Sequence, residues 1–180
     1  KAVRAQTADG AYTVPLRLYE LEERLQDDTL SEDQLAFLHS LQNTLDAMHI
    51  WHERYLEATR EAEPEVYERL QRVPFAPART FAEALQSLWF VFSFVRLCGN
   101  WPGIGRLDVM LGDFLRNDLA KGRLTLEEAR VLLAEFFVHG CEWIQSETPT
   151  GSGDAQHYQN IVLAGVDEFG RELTNEVTHL

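Results

Sequence analysis

The hydrophobic positions of this chain fall into runs with helical spacing, and three of these runs open with a capping signal. When Glu or Gln follows Ser or Thr by three positions, the two side chains can cap each other's backbone N–H groups at a helix start. The three pairs are Ser31 with Gln34, Thr80 with Glu83, and Thr125 with Glu128. The pattern therefore predicts three well-marked helices.

The first run carries an apolar stripe that predicts a packed helix face. Steps of three and four residues separate its members, as one face of a helix requires: Leu38, Leu41, Leu45, Met48, His52 and Tyr55. A shorter helix is expected around residues 15–26, and another is expected after Pro64, which suits a first helical position. Two prolines within residues 73–78 predict a short linker. We therefore expect a helical hairpin region at residues 1–78 and a second region at residues 79–180.

The second region predicts further helices and then a strand. Residues 81–98 are apolar on most sides, which is typical of a helix buried among others, and helices are also expected over residues 107–121 and 127–144. The run Ile161-Val162-Leu163, within residues 158–166, predicts a strand buried on both faces. No second convincing strand is found in the sequence, so we expect its sheet partners outside the 180 residues.

The last residues predict the start of another helix, with Thr174 as a plausible cap. Because the chain starts at Lys1 without an initiator Met and ends inside this predicted helix, we expect it to be part of a longer protein. The fold class of the segment is therefore mostly α, with α/β expected for the whole.

Charge and cysteine content exclude several classes of function. A net charge of -13 would repel both a phosphate backbone and an anionic membrane surface, which argues against nucleic acid and membrane partners. The two cysteines, Cys98 and Cys141, have no CxxC spacing, so neither a disulfide framework nor a zinc ribbon is indicated. A reducing cytoplasm fits this usage.

Some residues have both a chemical and a structural interpretation. His49 and His52 could share a metal beside Glu53, but no third ligand is spaced to join them, so we expect no metal site. Cys141 could be a nucleophile or a radical carrier, yet its apolar helical context favours a core residue.

Two polar clusters in the second region are harder to explain as surface. Arg106 and Asp108 follow Gly105 where a glycine-rich loop enters a helix, a place suited to anion binding or, as we favour, to a structural ion pair. Asn175 and Glu176 open the last predicted helix after the strand; they could contribute to a site at the strand's end or simply cap the helix.

Three segments, taken together, resemble the glycyl radical enzymes of the pyruvate formate-lyase type. The first is Arg79–Gln86 (RTFAEALQ), the second is Gly105–Asp108 (GRLD) followed by Asp118–Thr125 (DLAKGRLT), and the third is Gln159–Val166 (QNIVLAGV) followed by Thr174–Glu176 (TNE). Each motif is weak alone, but their order and spacing make the combination specific. The resemblance covers residues 79–180; the first 78 residues match only in helical character.

The resemblance implies a ten-stranded α/β barrel, of which this segment supplies outer helices and the first strand. It implies no catalytic residue in the segment, because the radical glycine and the thiyl cysteine are expected downstream. No cofactor is expected to bind directly; a radical S-adenosylmethionine activating enzyme installs the glycyl radical after translation. A small-molecule substrate and a homodimer are also implied. Arg106, Asp108, Asn175 and Glu176 become candidates for residues that lie near the substrate or support its site.

The segment departs from the family where several members have a serine near the substrate, since Gly103 stands at that position. The substrate class therefore stays open among lyases, dehydratases and formate acyltransferases. A scaffold or interaction domain without radical chemistry is the alternative function, and a helical metal protein using His49 and His52 is a third.

Overall fold

The computed structural model describes residues 21–97, 103–141 and 160–180. The chain divides into two compact units, Lys1–Ala78 and Arg79–Leu180, which are considered separately below. Among the described residues, no helix is long and apolar enough to cross a membrane.

The first unit is a helical hairpin built on a long helix, α1 (Glu32–Ala62), and a short helix, α2 (Pro64–Leu70). The predicted capping box at the start of α1 is confirmed, since Ser31 N–H donates to Gln34 Oε1 at 2.9 Å and Gln34 N–H donates to Ser31 Oγ at 3.3 Å. Pro64 is the first residue of α2, as predicted. Of the helix expected at residues 15–26, the structure describes residues 21–26; residues 21–25 are helical and residue 26 lies in a turn.

The apolar stripe of α1 is buried only in part. Leu38, Met48 and His52 are buried, whereas Leu41 and Tyr55 remain 40% and 41% exposed. Contacts with α2 and with the chain that follows it account for the burial of His52, because α2 packs against α1 and the carbonyl of Val73 reaches the His52 ring. A periodic apolar pattern thus identified the face of the helix but not how much of it is covered.

The described part of the second unit contains three α-helices whose apolar faces form one core. They are α3 (Phe81–Arg96), α4 (Leu107–Ala120) and α5 (Leu126–Cys141), and α3 packs against both of the others. The core side chains include Phe81, Leu85, Leu107, Leu111, Leu115, Ala129, Leu133 and Phe136. The predicted helix starts after Thr80 and Thr125 are confirmed, and Gly122 ends α4 with a positive φ of 62°, as its predicted capping role requires.

The capping box predicted at Thr80 is half formed, unlike the one at Thr125, which is complete. Thr80 Oγ1 accepts the N–H of Glu83 at 3.1 Å, but the Glu83 carboxylate accepts the N–H of Arg79 at 2.6 Å. The guanidinium of Arg79 also donates to Glu83 at 2.5 Å. With this ion pair in place, the carboxylate binds the N–H of Arg79, whereas in a capping box it would bind the N–H of Thr80.

The structure corrects the prediction that the strand has no partner within the chain. A two-residue strand, β1 (Gly105–Arg106), pairs in parallel with β2 (Ile161–Val162), with Gly105 opposite Ile161. Of the strand expected over residues 158–166, the structure describes residues 160–166, and within these only Ile161–Val162 form a strand. It is also less buried, since Val162 is 50% exposed and Leu163 46% exposed.

A tight turn and a 3₁₀ helix (Glu176–His179) follow β2. Residues 167–170 form the predicted turn, in which Gly170 N–H donates to the carbonyl of Asp167 at 3.0 Å. The N–H of Arg171 donates to the carboxylate of Asp167 at 2.9 Å, and this bond lowers the pKa of Asp167 below its ordinary value. The 3₁₀ helix packs against α4 and buries Val177.

Candidate functional site

Asp108, in the first turn of α4, is a completely buried carboxylate. Its Oδ1 accepts the N–H of Val109 at 2.8 Å, a local bond available to any acid at a helix start. Burying a carboxylate is costly unless hydrogen bonds and a cation compensate for the lost water. The second oxygen therefore needs partners from elsewhere in the fold.

Those partners come from the segment that follows β2. Oδ2 of Asp108 accepts the N–H of Ala164 at 2.6 Å and the hydroxyl of Thr178 at 3.0 Å. These residues lie 56 and 70 positions further along the chain. One carboxylate thus joins the start of α4 to both the loop after β2 and the 3₁₀ helix.

Arg106 supplies the cation and a second hydrogen bond to the loop after β2. Its Nε lies 3.8 Å from Oδ1 of Asp108, and its Nη2 donates to the carbonyl of Ala164. Ala164 has a φ of 55°, a left-handed conformation that a residue with a Cβ adopts only at a cost of about 1–2 kcal/mol. Because Asp108 binds the N–H of Ala164 and Arg106 binds its carbonyl, both backbone polar groups of this strained residue are held.

Asn175 completes the group from the opposite side. Its side-chain Nδ2 donates to the carbonyl of Asp108 at 3.0 Å, and its Oδ1 accepts the N–H of Val177 at 2.9 Å. Asn175 is thus the cap of the 3₁₀ helix, which corrects the prediction of Thr174 as the cap. Five residues form what we call the Asp108 cluster: Arg106, Asp108, Ala164, Asn175 and Thr178.

Of the four candidate residues, three meet in this cluster and the fourth does not. Glu176 points to the surface, where its side chain is 44% exposed and lies 4.0 Å from Arg116 Nη2. The ion pair favoured for Arg106 and Asp108 is present, though its shortest nitrogen–oxygen distance is long for a hydrogen bond. The geometry is that of a cluster that fixes backbone, since each carboxylate oxygen of Asp108 already accepts a hydrogen bond.

Sequence reasoning missed several members of the site and its surroundings. Thr178 was detectable, because an Asn followed three positions later by Thr is a capping pattern, and the structure forms that reciprocal pair. Ala164 carried no signal, because an alanine gives no hint of a positive φ. Asp118 was also missed as a buried acid; its Oδ2 accepts the N–H of Phe81, the first residue of α3, at 2.7 Å.

The histidine pair of the first unit has a structural role. His52 Nε2 lies 2.7 Å from the carbonyl oxygen of Leu70 and 3.2 Å from that of Val73, and His49 stacks on Phe75 with ring centroids 3.7 Å apart. Within the described residues, no group of three or more His, Cys, Asp or Glu side chains could hold a metal ion. The side chain of Cys141 lies outside the described residues, so the choice between nucleophile and core cysteine stays a prediction.

Comparison with known proteins decides the family. Residues 16–180 match the pyruvate formate lyase-like family, and this range includes every member of the Asp108 cluster. The chain belongs to this family. The resemblance to glycyl radical enzymes noted in the sequence is thereby confirmed, and it extends into the first unit, where the motifs alone gave no match.

Two curated relatives cover most of this chain but little of their own length. Isethionate sulfite-lyase from Nitratidesulfovibrio vulgaris is 31% identical over an alignment of 167 residues, and the match covers 82% of this chain and 20% of that protein. Indoleacetate decarboxylase from Tractidigestivibacter scatoligenes is 31% identical over an alignment of 122 residues, and the match covers 63% of this chain and 13% of that protein. The chain thus spans about a fifth of the length of the lyase that it matches.

Solved structures agree on the fold. Hydroxyproline dehydratase from Clostridioides difficile, with trans-4-hydroxy-L-proline bound, superposes with a TM-score of 0.76 at 25% identity, over 89% of this chain and 23% of that chain. A protein studied for 1,2-propanediol dehydration in Roseburia inulinivorans gives a TM-score of 0.78 at 24% identity, over 97% of this chain and 24% of that chain. The described helices and the small parallel sheet therefore have the fold of these proteins.

Proposed function

We propose that this chain is the structural part of a glycyl radical enzyme that breaks a C–S, C–C, C–O or C–N bond in a small molecule. The Asp108 cluster carries the proposal, because the GRLD and TNE segments meet there: Asn175 Nδ2 donates to the carbonyl of Asp108, whose carboxylate is buried and accepts the hydroxyl of Thr178. Lyase, decarboxylase and dehydratase chemistry is favoured over formate acyltransfer, since the curated relatives bear the first two names and a solved neighbour the third.

The proposed role of the cluster is to build one edge of the substrate site. In folds with parallel strands, ligands bind beyond the carboxyl ends of the strands. Arg106 ends β1, and Ala164 follows β2 by two residues, so the cluster lies at this edge. Arg106 and Asp108 would hold the backbone of Ala164 in position, and the whole protein would form the ten-stranded barrel that the family resemblance implies.

The proposal assigns the radical chemistry to residues outside this chain. A glycyl radical and a cysteine thiyl would supply hydrogen-atom abstraction, and a radical S-adenosylmethionine enzyme would install the radical. We also propose a homodimer in the cytoplasm and no directly bound cofactor. These assignments rest on membership of the family.

The decisive experiment uses the full reading frame that contains this chain, produced anaerobically with its activating enzyme. We expect a doublet electron paramagnetic resonance signal, because the unpaired electron of a glycyl radical couples to the one remaining α-hydrogen. Product formation is then measured with isethionate, trans-4-hydroxy-L-proline, 1,2-propanediol, indoleacetate, and pyruvate with coenzyme A. As a control, the activating enzyme is shown to be active on another protein substrate. If this protein then gives no signal, the result would contradict the proposal and favour the scaffold alternative.

A substitution at Arg106 tests the structural ion pair. In Arg106→Lys, one ammonium cannot both contact Asp108 and donate to the carbonyl of Ala164, so we expect a loss of about 1 kcal/mol of stability at this edge. Hydrogen exchange of the Ala164 amide in the full-length protein measures the loss. The matched control is Arg116→Lys, whose side chain is 58% exposed and pairs at the surface. Equal exchange in both variants would refute a special role for Arg106.

A further inference from the structure

Gly112 lies in the middle of α4, and the side chain of Asn175 occupies the space that a side chain at position 112 would need. A Cβ at position 112 would come within 2.7 Å of Asn175 Nδ2 and 3.0 Å of its Cγ. Real Cβ atoms do not approach heavy atoms so closely, so any other residue here would displace the asparagine. Glycine in a helix interior is otherwise unfavourable relative to alanine, which makes its position here informative.

The space over Gly112 lets Asn175 reach a backbone carbonyl of α4. Nδ2 donates to the carbonyl of Asp108, the residue one helical turn before Gly112. The backbone N–H of Asn175 donates to Thr178 Oγ1 at 3.1 Å, and that hydroxyl donates to the carboxylate of Asp108. Asn175 and Thr178 therefore hold both the carbonyl and the carboxylate of Asp108.

We propose that Gly112 and Asn175 are positioning residues that act as a latch, fixing the segment after β2 against α4 and thereby orienting the substrate-site edge. Neither residue is proposed to touch the substrate; they act through Asp108 and the Ala164 peptide that it binds. The inference rests on the proposed function for its effect on catalysis, but the latch itself is a property of the fold.

A cycle of Gly112→Ala, Asn175→Ala and the double variant in the full-length protein tests the latch. Alone, Gly112→Ala should lower Tm, because the new methyl group displaces the Asn175 side chain. On the Asn175→Ala background the same substitution should raise Tm, since the clash is gone and alanine favours a helix interior. Additive shifts in Tm would overturn the latch. Asn117→Ala, an exposed asparagine on the same helix, is the control for the loss of an amide.

The effect on catalysis distinguishes positioning from mere stability. At a temperature where all variants are folded, Gly112→Ala should lower kcat/KM about 10- to 100-fold, as expected for a small displacement of a substrate-site edge, with the same radical yield as the wild type. An unchanged kcat/KM beside a lowered Tm would overturn the positioning role. A wild type that forms no radical would reject the proposed function instead, and the Tm cycle would then decide the latch by itself.

Discussion

Replacing Asp108 by Asn should destabilise the closed state of the loop after β2 by about 3 kcal/mol. This loss shifts the equilibrium between the closed and open states roughly a hundredfold towards the open state. The asparagine keeps the shape of the side chain but has one acceptor oxygen and one NH₂ group. If the oxygen takes the place of Oδ2, it accepts from Ala164 and Thr178 as before. The NH₂ group then faces the N–H of Val109, and neither donor has an acceptor.

The lost charge adds to this effect. The Nε atom of Arg106 is buried without a hydrogen-bond partner, and the carboxylate 3.8 Å away is what compensates its charge. Removing one member of a buried ion pair leaves the other desolvated and uncompensated, which is more costly than removing an exposed pair. Asp108→Asn should therefore be more damaging than Arg106→Lys, which keeps a positive charge.

Hydrogen exchange in the full-length protein is the appropriate measurement, because it reports the opening of this one loop, which the Tm of the whole protein does not resolve. The amide of Ala164 should exchange about a hundred times faster in Asp108→Asn, while amides in α1 keep their wild-type rates. Asp113→Asn is the matched control, since Asp113 lies on the same helix with its side chain 78% exposed. Slow exchange at Ala164 in Asp108→Asn would show that the carboxylate does not hold the loop.

Helix starts were predictable from the sequence because capping is local. The pairs at Ser31 and Thr125 act within four residues, so the identities of the two side chains determine the outcome. The pair at Thr80 was predicted less well, because Arg79 competes for the Glu83 carboxylate. Even there the helix begins at the predicted residue.

The small sheet was not predictable in the same way. A strand of two residues is too short to show a period, and Gly105, with a φ of 84°, is typical of a loop. What pairs it with Ile161 is a set of contacts between distant segments, including the carbonyl of Asn160, which accepts the N–H groups of Ile104 and Gly105. Such contacts leave no local pattern.

The candidate site, too, was predictable from the sequence only in part. Arg106 and Asp108 were identifiable because charges at a glycine-loop helix start require a partner. The partners themselves were not: Ala164 contributes only backbone, and Gly112 contributes the absence of a side chain. The resemblance to a family brought Asn175 into consideration, but its contact with Asp108 depends on the three-dimensional fold.

Replacing Asp118 by Ala should destabilise the start of α3 by about 2–3 kcal/mol. Asp118 lies near the end of α4, yet its Oδ2 accepts the N–H of Phe81, and both residues are buried. In the alanine variant this N–H has no acceptor and no access to water. The carboxylate also lies at the positive end of the α3 dipole, so its charge contributes beyond the hydrogen bond.

Arg123 does not replace the lost interaction. Its Nε lies 3.3 Å from Oδ1 of Asp118, but its side chain is 41% exposed, so in the variant it would turn to solvent. Asp118→Asn should retain part of the stability, because the amide oxygen can still accept from Phe81. The order wild type, then Asn, then Ala is thus expected for protection of the Phe81 amide.

Amide exchange at Phe81 and the Tm of the full-length protein measure this order. Asn117→Ala is again the control, because Asn117 is the exposed neighbour of Asp118 on the same helix turn. If Asp118→Ala and Asn117→Ala gave equal protection at Phe81, the carboxylate of Asp118 would not stabilise the start of α3. The expected difference between these two variants would instead show that Asp118, near the end of α4, stabilises the start of α3. Together with the loss expected for Asp108→Asn, it would mean that α4 holds another segment of the second unit at each of its ends.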